Sequence, residues 1–159
     1  MKQRHEVLFT QLESYRGYLL GAVEQVTEEQ AEVVPAGFRN NIRWNLGHIY
    51  LDQYLWIRAL TKEEVPVPAL FQDWFGYGTS PQSFTAETPS LQELKELLRQ
   101  QPAQLRERYG HRLKEKFAPA EMGMRTIEQV IIRTIFHEGM HLQAILDLKK
   151  HIHTGQSIS

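Results

Sequence analysis

The sequence contains no cysteine. That absence removes disulfides, thiolate metal ligands and a cysteine nucleophile together, so any metal must be held by nitrogen and oxygen. A surplus of one charge is missing as well. Eighteen Lys and Arg face 19 Asp and Glu, for a net charge of -1, and nothing points to nucleic acid or an acidic membrane surface as a partner. No run approaches the ~20 apolar residues that a bilayer-spanning helix needs. Met1-Lys2-Gln3-Arg4-His5-Glu6 leads into no continuous apolar stretch of the signal-peptide kind. The expected location is the cytoplasm. Strand-like alternation, internal repeats and low-complexity tracts are also lacking, which leaves an all-α protein.

At 159 residues the chain has the length of one domain, taken as 1–159. Leu8, Leu12, Tyr15, Leu19, Ala22 and Val26 recur at spacings of three and four, predicting a first helix from about Gln3 to Gln25. Thr27-Glu28-Glu29-Gln30 has the form of a capping box and announces a short helical turn before Pro35. A second long helix is predicted from about Ile42 to Leu60, capped by Asn40 or Asn41, with Trp44, His48, Leu51, Leu55 and Ala59 on its apolar stripe. Thr61 to Pro89 lacks clear periodicity but holds Phe71, Trp74, Phe75, Tyr77 and Phe84. So aromatic a segment is expected to pack on the body, as a lid or as a plug over the core, and its length permits a crossover to a parallel helix. A second capping box, Ser90-Leu91-Gln92-Glu93, opens the third long helix, in which Pro102 is expected to cause a kink or a break. The fourth is predicted from Thr126 to His151, with fraying onward to Ser159. The sum is a four-helix bundle with a long crossover connection between its second and third helices.

The chemistry concentrates in Phe136-His137-Glu138-Gly139-Met140-His141. Residues four apart share a helix face, so the two imidazoles can close on one ion. His48 on the second helix is the candidate for a third ligand; read by itself it also suits a hydrogen-bonded core histidine. Glu138 falls among apolar neighbours and needs a cation, a donor or a proton, with Arg43 or an indole N–H as possible partners. Asn45 and Asp52, three before and four after His48, are placed to orient its ring.

His137-Glu138-Gly139-Met140-His141 satisfies the H-E-x-x-H pattern of zinc proteases, in which the glutamate is the general base. The extended form of that motif fails at Ala144 and Asp147. Glu138-Gly139-Met140-His141 also fits the E-x-x-H element of di-iron bundles, yet no second copy faces inward. Trp44-Asn45-Leu46-Gly47-His48-Ile49 combined with His137-Glu138-Gly139-Met140-His141 resembles the DinB-like (DinB/YfiT) superfamily over nearly the whole chain. The continuation from His141 to Lys150 is also similar to the metal-binding domain of ergothioneine-synthesising sulfoxide synthases. The superfamily resemblance implies a four-helix bundle, often dimeric, with His48, His137 and His141 binding a divalent metal. Zinc, nickel and iron(II) all suit three imidazoles. It further implies a thiol-dependent S-transferase or related detoxification enzyme, with a low-molecular-weight thiol and a small electrophile as substrates. Glu138 and Asp52, by their placement beside the histidines, are the catalytic candidates. The alternatives are a non-enzymatic metal-binding stress-response homodimer and the metalloprotease.

Overall fold

A computed structural model describes residues 2–155. Its six α-helices are α1 (Gln3–Ala22), α2 (Glu28–Glu32), α3 (Ile42–Thr61), α4 (Leu70–Phe75), α5 (Leu91–Tyr109) and α6 (Ile127–Gly155). Short 3₁₀ turns lie at Pro81–Ser83 and Glu121–Gly123, and no strand occurs among the described residues. The fold is all-α, as the patterning predicts.

The helix starts follow from local side chains. Thr27 and Gln30 form the expected capping box on α2, as Ser90 and Glu93 do on α5. Each box satisfies two backbone amides that the first turn leaves without a partner. Glu28 adds to the start of α5 by accepting from the amides of Leu91 and Gln92 at 3.0 and 3.1 Å, a carboxylate at the positive end of a helix dipole. Asn41, not Asn40, caps α3, accepting from the Trp44 amide. Thr126 caps α6 together with Gln129.

The four long helices pack in a ring in which α1 and α3 each contact α5 and α6. Their directions can be read from side-chain pairs. Arg43 reaches Thr88 and Pro89, Gln101 reaches the Tyr50 carbonyl, and Tyr54 reaches Gln104, so α3 and α5 run parallel. Thr134 pairs with Gln53 and His141 with Asn45, so α3 and α6 run antiparallel. The 62–90 connection therefore makes the crossover that its length permits. Along it, α4 lays Phe71, Trp74 and Phe75 against α3 and into the core.

Two local expectations need correction and a third is narrowed. The first helix ends at Ala22, not Gln25, because Val23 turns away from the axis to join the core. Its inward face is carried by His5, Leu8, Phe9, Leu12, Arg16 and Leu19, with Tyr15 exposed. Pro102 lies inside α5 without ending it. Proline lacks the N–H that would bond to the carbonyl four residues earlier, and that carbonyl, Leu98 O, accepts from the buried Arg16 guanidinium at 2.6 Å. At the C-terminus α6 continues to Gly155; of the tail expected to fray, 156–159 lie outside the described residues. No helix among the described residues is long and apolar enough to cross a membrane.

Candidate metal centre

His48 on α3 and His137 and His141 on α6 meet where the two antiparallel helices pack. His137 Nε2 stands 3.2 Å from His48 Nε2 and 3.1 Å from His141 Nε2. All three ligand atoms lie within 4.8 Å of one another. Nitrogens held ~2.0–2.1 Å from a single ion at angles of roughly 90–110° stand about 3.0–3.4 Å apart, so the two spacings from His137 match those of ligands sharing an ion.

The outer nitrogens fix the tautomers. His48 Nδ1 faces the Phe75 carbonyl at 2.7 Å, and His137 Nδ1 faces Asp52 Oδ2 at 3.0 Å. His141 Nδ1 faces Asn45 Oδ1 at 2.8 Å. The orientation of the Asn45 amide is itself set, because its Nδ2 donates to the Asn41 carbonyl at 2.8 Å. All three partners are acceptors, so each neutral ring carries its proton on Nδ1 and turns a bare Nε2 lone pair to the common point. The two close N···N approaches are then not hydrogen bonds. They are lone pairs converging on a place that suits a cation. Donation of the outer N–H to a carboxylate, amide or backbone carbonyl is the usual support of a metal-bound histidine, and the donor set fits zinc, nickel or iron(II).

Electrostatics keep the His48 and His141 rings free of an extra proton. Burial lowers the His48 pKa, outweighing the Phe75 hydrogen bond that works upward. Burial and the neighbouring His48 and His137 push His141 down to about 3. Burial works upward on Asp52, but the hydrogen bond from His137 and the positive charge of Arg133 hold its carboxyl below the usual range. Asp52 is thus an anion. It also accepts from Trp56 Nε1 at 3.1 Å and from Arg133 NH1 at 2.7 Å.

Asn45 and Asp52 both support the centre, but neither orients His48. Each reaches across the helix interface to a histidine of α6, while α4 supplies the carbonyl for His48. Trp44 stacks on the His48 ring, centroids 4.7 Å apart and planes 9° apart. Phe75 can come so close because residue 47 is glycine: a Cβ there would stand 2.3 Å from the Phe75 ring. Gly47→Ala will therefore push α4 away and release the His48 ring. We expect a loss of about 1–3 kcal/mol in stability and a roughly 10–100-fold loss of metal affinity. Thermal melts with and without zinc will show a smaller metal-induced rise in Tm than in the wild type; an unchanged rise would detach Gly47 from the site.

Glu138 is placed differently. It is buried on the core side of α6, where Arg16 Nε and NH2 hold its two oxygens at 2.7 and 3.1 Å. Its partner is Arg16, not Arg43, which binds Glu32 and the Thr88 and Pro89 carbonyls. Arg16 also reaches Gln53, which donates to Thr134. This polar cluster ties all four long helices together beneath the metal centre.

Above the histidines opens a cavity of about 1030 Å³, with Trp44, Trp56, Arg39, Tyr77, Arg133 and Met140 in its wall. The sequence reading passed over Arg133 and Trp56, although the signals were present: Arg133 is one turn before His137, and Trp56 one turn after Asp52. The Phe75 carbonyl has no such signal, being backbone. No curated protein matches the sequence. The family model of the DinB superfamily matches residues 11–145, most of the chain and all three histidines, and on that match the chain belongs to the DinB superfamily.

Proposed function

We propose that the protein is a divalent-metal-dependent enzyme that transfers a low-molecular-weight thiol to a small electrophile. The observation that carries this reading is the convergence of three bare imidazole nitrogens at the base of a cavity large enough for two small substrates. Three neutral ligands leave the charge of a bound divalent ion uncompensated, and such an ion lowers the pKa of a thiol bound to it. The chain's own residues do the rest. Asp52, Asn45 and the Phe75 carbonyl hold the rings in their binding tautomer, and Trp44 and Trp56 wall the cavity with apolar surface. In the transfer, the S–H proton leaves to solvent, the sulfur forms a bond to the electrophilic carbon, and that carbon's leaving group departs with the bonding pair.

Glu138 has no part in this step, since both its oxygens are engaged by Arg16. The same engagement weighs against an H-E-x-x-H protease, whose glutamate must face water beside the ion. A non-enzymatic metal-binding homodimer is the second reading. It is favoured by a band of exposed side chains on α1 and α6, with Tyr18 65%, Phe136 71% and Met140 52% exposed, around a mainly apolar groove between the two helices. Such contiguous patches mark interaction surfaces.

The test is turnover of a chromogenic aryl halide with a panel of small thiols, comparing zinc-, nickel- and iron(II)-loaded protein with chelator-treated protein. Metal-dependent consumption with at least one thiol is expected. Absence of turnover with every thiol and metal, in a protein that sediments as a dimer, would favour the binding-protein reading.

A further inference from the structure

The wall of the cavity holds a cation whose hydrogen-bonding capacity is largely unused. Arg133 sits one turn before His137 on α6 and lines the cavity. Its guanidinium lies 3.9 Å over the Trp56 ring, which fixes its plane by cation–π stacking. Of its five N–H donors, it uses one, from NH1 to Asp52 Oδ2 at 2.7 Å. Nε and NH2 have no partner among the described residues. Asp52 is already satisfied on both oxygens by His137, Trp56 and Arg133, so it does not need the rest of the fork. A planar fork with a free edge, held rigid on an aromatic face and turned to a cavity, matches a carboxylate geometrically.

Position narrows the ligand further. From His137 Nε2 the path to NH1 of the guanidinium crosses one imidazole ring, the 3.0 Å contact to Asp52 and the 2.7 Å ion pair, so NH1 is no more than roughly 8 Å away and the free edge of the fork no more than roughly 10 Å. A group bound at the histidines and a carboxylate on Arg133 can then belong to one small molecule. Arg39, which donates to the Gly78 carbonyl, adds a second positive charge to the cavity wall, and Glu121 adds an acid. We infer that Arg133 is the anchor for a substrate carboxylate, so that the site selects thiols carrying a carboxylate a few bonds from sulfur. The inference rests on the thiol reading of the centre.

The test uses cobalt-loaded protein and two thiols of equal length, 3-mercaptopropionate and 3-mercapto-1-propanol, followed by sulfur-to-cobalt charge-transfer absorption. Wild-type protein should bind the carboxylate at least ~10-fold more tightly, as a charge-assisted bidentate contact requires. In Arg133→Gln the preference should vanish, with affinity for the alcohol unchanged. Equal binding of both thiols by the wild type, or a preference that survives in Arg133→Gln, overturns the inference. Because Arg133 also touches Asp52, cobalt content is measured first for each variant. If the glutamine variant does not load, Arg133→Lys, which keeps a cation beside Asp52 but loses the fork, carries the test: the ratio should fall several-fold, and an unchanged ratio overturns the inference. If neither thiol gives the absorption band, the thiol reading has failed and propionate becomes the probe. Saturable heat of propionate binding in the wild type, lost in the loaded variant, keeps the carboxylate anchor; equal heat in both removes it.

Discussion

Glu138→Ala will cost about 3–5 kcal/mol of stability while the folded protein keeps its metal. The carboxylate is 3% exposed and its two contacts to Arg16 are 2.7 and 3.1 Å. Removing it leaves a guanidinium buried without its counter-charge, and that uncompensated charge accounts for the magnitude more than the worth of the pair itself. For a chain of this length the loss corresponds to a fall in Tm of roughly 6–20 °C, measurable by circular dichroism. Arg16→Met has a further consequence, because it also strands the Leu98 carbonyl that Pro102 leaves without its helical partner. The double variant Arg16→Met, Glu138→Leu should recover part of the loss caused by Glu138→Ala, since an apolar pair restores neutrality in the core. The readout separates two roles for Glu138. Unchanged stability combined with abolished metal-dependent turnover would restore it as a general base, contrary to its place in the core.

Alanine at any one of the three histidines will lower metal affinity by more than the roughly 100-fold that loss of a supporting group causes. Two imidazoles remain in each variant, and their outer nitrogens stay bonded to their own acceptors, so the folded structure should persist with a defective site. His137→Ala should be the most severe. Its Nε2 is the one within 3.2 Å of both others, and its removal also leaves Asp52 with one fewer donor. Competition against a chromogenic chelator measures the loss, and the order His137 beyond His48 and His141 is part of the expectation.

Much of this architecture was legible because short side-chain signals mark it. Thr27, Ser90, Asn41 and Thr126 each announce a helix start that the structure contains. The i,i+4 spacing of His137 and His141 places both rings on one face, and His48 joins them as the family pattern implies. Other features have no local signature. α4 begins at Leu70, behind an Ala69 that offers no side-chain cap, and is only six residues long, so its place is decided by burial of Phe71, Trp74 and Phe75 against α3. Arg16 interrupts an apolar stripe and reads as a surface residue until the Glu138 carboxylate and the Leu98 carbonyl are brought beside it from α6 and α5. The hydrogen bonds of Asn45 and Asp52 follow the helix interface and not their spacing from His48, because a side chain on α3 that points to α6 meets the facing histidine before its own helical neighbour.

These threads meet at one point in the molecule, the place to which three Nε2 lone pairs turn. Elemental analysis of protein purified without a polyhistidine tag, for the wild type and for His137→Ala, tests it most directly. Close to one equivalent of a divalent metal per chain in the wild type, and little in the variant at equal fold content, is the predicted result. Equal metal in both proteins would contradict the three-histidine centre.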